Sequence, residues 1–312
     1  MSFYYWKTNF HLDSIEKETI TNNSVNVIYI RYFDVDFLPG DSIPTAIMPV
    51  SFDTNALMTG VVPVVYVKNR TLERLDSTGL KRLSEKAYSL VTGINQRGNV
   101  HPAEIQFDCD WTETTKDKYF LFLKQYKLLS NQIISATIRL HQIKYPGITG
   151  IPPVDYGVLM YYNMGDINSG TTSSIYDKAI ATKYAPSIKT YPLTLDIALP
   201  IFSWSLQVRD GRVVKLLNKM NFQHFENDSN FISAGKDRYT VKHACFHGGY
   251  YFKENDTIKT EHVTEADLMD IVMQVNRYSN NRIRNLIFYD LDKENLVLYD
   301  KNIFRKILDH TD

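Results

Sequence analysis

Two carboxylates stand two positions apart in the stretch Ile105-Gln106-Phe107-Asp108-Cys109-Asp110-Trp111. On a strand, residues at i and i+2 point to one side. Asp108 and Asp110 are therefore expected on one face of an apolar strand, with Trp111 at its end. Burying an unpaired charge is expensive, so acids placed this way suggest a site. A purely structural arrangement competes with that reading: Asp108 would cap the following helix, and Asp110 would pair with a basic side chain. Cys109, between them, reads as a small hydrophobe rather than a nucleophile.

Other groups that could do chemistry fall at the ends of similar apolar runs. Trp6 closes the first run, Arg31 lies in the second with Asp34 and Asp36, and Arg139 and His141 end the fifth. Tyr162 and Asn163 end the sixth, Trp204 the seventh and Asp290 the eighth. All three tryptophans are thus expected near strand ends. Indole faces stack on the C–H faces of sugars, and carboxylates and amides take their hydroxyls, so this mixture suits a carbohydrate; packing beneath loops is the competing role for the rings. Arg139 and His141 could serve a substrate or form a satisfied network in the mouth. Asp34 and Asp36 could bind an ion or a sugar, or brace the loop that follows. His243 and His247 are four apart but have no carboxylate in their motif, so no metal site is expected.

The elements that must position these residues can be read from hydrophobic pattern. Eight apolar runs, at 3–8, 25–37, 63–68, 104–111, 134–141, 157–164, 195–204 and 286–292, have the near-continuous character of parallel strands covered on both faces. Helical spacing appears at 71–95, 114–129, 173–185, 265–278 and 304–309, with Thr114 or Thr115 as a cap. Strands alternating with helices predict an α/β protein, a (β/α)8 TIM barrel. The units after strands one and two show no clear helix and should be irregular. The connection from 204 to 286 is too long for one crossover. Residues 207–262 are read as a β-rich insertion after strand seven, within a single barrel domain spanning 1–312.

Bulk properties narrow the function. The chain has 312 residues, 35 basic and 35 acidic. Zero formal net charge leaves no basic footprint, so no nucleic-acid partner is expected. Two cysteines, Cys109 and Cys245, can build neither a disulfide framework nor a paired metal site. No apolar run is long enough for a membrane span. The first 13 residues lack a basic region followed by an apolar run. The chain is therefore read as soluble, either cytoplasmic or exported with a signal already removed. Glycine-rich phosphate-binding motifs are absent, and no cofactor is expected.

The ordered motifs resemble the family 18 glycoside hydrolases, the chitinase-like barrels. Their fourth strand carries DxxDxDxE, and the matching positions here are Ile105, Asp108, Asp110 and Thr112. Their sixth strand carries MxYD, matched by Met160-Tyr161-Tyr162-Asn163. Ala198-Leu199-Pro200-Ile201-Phe202 is a looser echo of the seventh strand. Residues 134–164 also resemble bacterial barrel proteins of unassigned function, so the resemblance is to a divergent, bacterial member.

It implies substrate-assisted chemistry, in which the sugar's acetamido oxygen attacks the anomeric carbon. Asp110 would orient that group, Tyr162 would hydrogen-bond it, and Asp108 would support Asp110. The general acid of the family falls on Thr112, and Glu113 lies one residue later. Two readings follow. One is a glycan hydrolase using Asp110 with Asp108 or Glu113. The other is a non-catalytic glycan-binding barrel that has lost its acid.

Overall fold

The computed structural model describes residues 1–38, 44–47, 51–52, 60–168, 173–279 and 283–310. Eight parallel strands close into a barrel: β1 (Ser2–Tyr5), β2 (Val27–Asp36), β3 (Gly60–Val67), β4 (Glu104–Asp108), β5 (Ile133–Arg139), β6 (Tyr156–Met160), β7 (Leu195–Pro200) and β8 (Leu286–Tyr289). Each strand pairs with the next in sequence, and β1 pairs with both β2 and β8. The expected (β/α)8 barrel is the fold of this chain, with a strand in each of the eight apolar runs.

Helices cover the outside. They include α1 (Ser14–Asn22), α2 (Ser77–Arg97), α3 (Lys116–Leu129), α4 (Glu265–Ser279) and α5 (Ile303–Asp309). Along α2, Leu80, Leu83, Ala87, Val91 and Ile94 form one buried stripe. Asp76 caps this helix by accepting the Gly79 N–H at 2.7 Å. Thr115 sits at the N-cap of α3 but makes no cap bond; its hydroxyl donates to Asn69 Oδ1 at 2.6 Å.

Helix α1 departs from expectation, since no helix was read after strand one. It has almost no apolar face, with Glu16 its only buried residue. Its start is fixed instead by a capping box: Asp13 accepts the Glu16 N–H at 2.9 Å, and Glu16 accepts the Asp13 N–H at 3.0 Å. After β2, a short strand at Thr45–Ile47 folds back antiparallel, and Ser51–Phe52 pairs with Asn9–Phe10. No helix occurs there among the described residues, as the sequence suggested. The helix read at 173–185 begins later, at Lys178–Tyr184, and continues as a 3₁₀ turn to Thr190.

The barrel axis is polar. Glu104, Gln106 and Asp108 alternate along β4 and form one inward column. Glu104 accepts from Ser135 Oγ at 3.0 Å, Gln106 Oε1 from Tyr4 at 2.6 Å, and Asp108 Oδ1 from Thr137 at 2.6 Å. The chain between β7 and α4 builds a separate antiparallel sheet, in the order 212–218, 204–209, 257–261, 238–241, 231–233. Leu217, Met220, Phe225, Phe231, Phe252 and Ile258 lie in its own small core. A hairpin, Cys245–His247 with Tyr250–Phe252, turns through Gly248 and Gly249 at φ 56° and 81°. Both turn positions need the left-handed backbone that glycine adopts without cost. Among the described residues, no helix is long and apolar enough to cross a membrane.

Candidate functional site

Two adjoining hollows open at the C-terminal end of the barrel, where sites of such barrels are built. They share Arg139, Tyr162 and Asn163. The central lobe, about 280 Å³, is lined by Trp6, Tyr162, Phe202, Trp204 and Tyr289 together with Asp108, Asp290, Asn218, Lys219 and Asn295. The side lobe, about 390 Å³, is lined by Asp110, His141, Ile180 and Tyr184. A larger cavity, about 740 Å³, lies at the opposite end, among Asn26, Val61, Pro102, Asp196 and Arg284. The convergent rings and acids favour the C-terminal mouth as the site.

The rings of the central lobe brace one another. Tyr162 stacks on Tyr289 with centroids 5.5 Å apart, and Phe202 meets both edge-on at 5.6 Å. Trp6 stands edge-on to Tyr289 at 5.6 Å, and Trp204 leans on Phe202 at 5.2 Å. The Trp204 indole N–H donates to Glu261 Oε2 at 2.9 Å, which fixes its plane. Arg31 lies 5.9 Å from the Trp6 ring and is ion-paired to Asp34 at 2.7 Å. It lines neither lobe. Asn163 holds φ 56°, a left-handed conformation that asparagine tolerates better than most residues.

The charged groups are unequal. Burial pushes Asp108 up to about 6, against the opposing pull of Arg139. Burial likewise pushes Asp290 up to about 6, with Lys219 opposing. Asn295 Nδ2 donates to Asp290 Oδ1 at 2.5 Å. Asp110 lies past the end of β4, with half its side chain exposed, and accepts from Arg139 Nε at 2.5 Å. Burial, and then the Arg139 charge, hold His141 below its ordinary value. No group of His, Cys, Asp and Glu suited to a metal ion occurs among the described residues. His247 is instead paired to Asp228 at 2.8 Å, and Asp36 to Lys68 at 2.6 Å and to Arg70.

The sequence-derived candidates divide accordingly. Trp6, Asp108, Arg139, Tyr162, Asn163, Trp204 and Asp290 meet in the central lobe, and Asp110 and His141 in the side lobe. Asp108 and Asp110 do not share an inward face, because β4 ends at Asp108 and the alternation stops there. Trp111 is not in the mouth. It is 2 % exposed, stacks on Tyr119 at 5.2 Å and donates to the Thr149 carbonyl at 2.9 Å. Glu113 is exposed on the following loop and lines neither lobe. Trp204 does not close β7, which ends at Pro200, but opens the first strand of the second sheet. Asn218, Lys219 and Asn295 were not anticipated. They reach the mouth from the second sheet and from the short helix Lys293–Leu296, and no local motif marks them.

No protein-family model matches the sequence, and no curated protein is similar to it at the sequence level. Solved structures do share the architecture. The Bacillus cereus spore cortex-lytic enzyme SleL superposes with a TM-score of 0.56 at 12% identity, over 99% of this chain and 73% of that one. The chitinase RmChi1 from Rhizomucor miehei gives 0.54 at 11% identity, over 98% and 99%. The xylanase-α-amylase inhibitor protein XAIP-I, in complex with trehalose, gives 0.52 at 11%, over 99% and 97%. At such identities the likeness is one of fold: this chain is a (β/α)8 barrel of the kind found in chitinases.

Proposed function

We propose that this chain is a glycan-binding barrel of chitinase-like fold that lacks the family's general acid. The observation that carries the reading is the central lobe. Five aromatic side chains enclose about 280 Å³ together with two buried carboxyls and three amides. Ring faces stack on sugar C–H groups, and carboxylates take sugar hydroxyls in charge-assisted hydrogen bonds. The position matching the acid supports binding over cleavage. Thr112 is exposed, and its hydroxyl is engaged with Thr114 at 2.9 Å and Thr115 at 3.2 Å. Asp110, which the resemblance gives the task of orienting an acetamido group, is tied to Arg139. The Tyr162 hydroxyl donates to Met160 Sδ at 3.0 Å. The fold itself decides nothing, since it also serves a protein described as an inhibitor.

Hydrolysis has one observation in its favour: Asp108 and Asp290, both pushed to about 6, could hold a proton near neutral pH. The test measures both properties. Trp6 and Trp204 line the lobe while Trp111 is buried, so intrinsic fluorescence in a Trp111→Phe background reports the mouth. Oligosaccharides are expected to perturb it without being cleaved. Cleavage that disappears in Asp110→Asn or Asp108→Asn would overturn the non-catalytic reading. No response to any member of a broad panel would overturn glycan binding.

A further inference from the structure

Acids outnumber bases in and around the central lobe: Asp108, Asp290, Asp110, Asp292, Asp34 and Glu16 stand against Arg139, Lys219, Lys7 and Arg31. Asp108 and Asp290 are each 6 % exposed and both line it. Each has one carboxyl oxygen engaged by a neutral donor: the Thr137 hydroxyl for Asp108 and the Asn295 amide for Asp290. Among the described residues, no hydrogen bond of ordinary geometry from another residue reaches either second oxygen, and neither carboxyl is ion-paired. Arg139 and Lys219 also line the lobe, but each is bonded to another acid. Arg139 Nε bonds Asp110 at 2.5 Å, and Lys219 bonds Asp292. Lys7 is shared between Glu16 at 2.6 Å and Asp292 at 3.3 Å, and Arg31 pairs with Asp34 at 2.7 Å. Each open oxygen belongs to a residue lining the lobe's free space, where a donor from a ligand can complete it.

We infer that the glycan taken by this mouth carries free, protonated amino groups, on de-N-acetylated hexosamine units held at Asp108 and at Asp290. The inference rests on reading the mouth as a glycan site. An ammonium brings a positive charge and three donors, one of which an open carboxylate oxygen can accept. The indole and phenol faces of Trp6, Trp204 and Tyr289 attract a cation as well as a sugar face. An acetamido nitrogen offers one neutral donor and no charge. A uronic acid or sulfated sugar would meet like charge.

The test compares three tetrasaccharides by calorimetry at pH 6.5: fully de-N-acetylated glucosamine tetramer, its fully N-acetylated counterpart and cellotetraose. The free-amine tetramer is expected to bind about tenfold more tightly than either, the gap between a charged and a neutral hydrogen bond. Added salt should weaken its binding and leave that of the other two nearly constant. In Asp108→Asn and Asp290→Asn the preference should fall to within about twofold. Should either variant fail to fold, the ligand comparison in the wild type decides alone. Equal or tighter binding of the acetylated tetramer would overturn the inference while leaving glycan binding intact. Binding of none of the three would overturn the glycan reading itself. A preference unchanged in folded variants would remove these two carboxyls as its source.

Discussion

Replacing Asp108 with Asn should make the folded protein more stable at neutral pH. The side chain is 6 % exposed, and burial moves its carboxyl from 3.8 to about 6. The folded state therefore holds this proton more tightly than the unfolded chain does. Below about pH 4 both states are protonated and the carboxyl costs little. As the pH rises from about 4 through 6, the unfolded chain ionises freely while the folded one resists. Stability falls across that window and stays low above it. At about 1.36 kcal/mol per tenfold in proton affinity, the loss amounts to about 3 kcal/mol. Asn does not titrate, and its carbonyl can still accept the Thr137 hydroxyl bond seen at 2.6 Å. Urea unfolding of both proteins from pH 4 to 8 should show a stability gap that opens by about 3 kcal/mol in favour of Asn. A gap that is flat with pH, or one that opens in favour of wild type, would refute the claim that burial dominates this carboxyl. The same site would then be too well solvated to need a cationic ligand.

The other expectations are more local. Asp196 is 0 % exposed, neither carboxyl oxygen makes a hydrogen bond of ordinary geometry, and burial pushes it to about 7, so Asp196→Asn should also gain stability between pH 4 and 7 in the same titration. Trp111→Ala removes a buried ring stacked on Tyr119 and should cost about 3–5 kcal/mol in chemical unfolding. Glu113→Gln should leave glycan affinity and stability within experimental error, because the side chain is exposed and outside both lobes. Gly157→Ala would set a new methyl 2.8 Å from Ile138 Cγ1 and 2.9 Å from Leu195 Cδ2, and should lower stability by about 1–3 kcal/mol.

Much of the barrel was legible because its strands are buried on both faces. The run in β2, with nine of ten residues buried, is interrupted by charge only at Arg31, Asp34 and Asp36. Helix α1 was missed because hydrophobic spacing was the signal sought, whereas Asp13 and Glu16 define it by capping. The inward Asp108 was correctly placed by alternation, but the same rule carried Asp110 and Trp111 too far, since a strand's end is set by long-range pairing. Trp111 lies where β4 has already given way to the loop, so its ring turns into the packing around Tyr119. Lys219 and Asn295 illustrate a deeper limit. They stand more than a hundred positions beyond Asp108 in the chain and reach its lobe only because the barrel closes.

The closure of the second sheet at its base carries one more consequence. The strand that leaves the barrel begins at Trp204 and the strand that returns ends at Glu261, and these two residues are direct antiparallel partners. The Trp204 indole clamps them at 2.9 Å, and Ser174 N–H donates to the same carboxylate at 3.0 Å. Departure and return thus lie one strand spacing apart, about 5 Å. To the barrel, everything between them is a detour with no net displacement. A chain shortened by a tight turn at that base would face the same geometry, so the outer part of the sheet is free to lengthen, shrink or be exchanged over evolutionary time. The floor of the mouth, built by the strands beneath, would stay where it is.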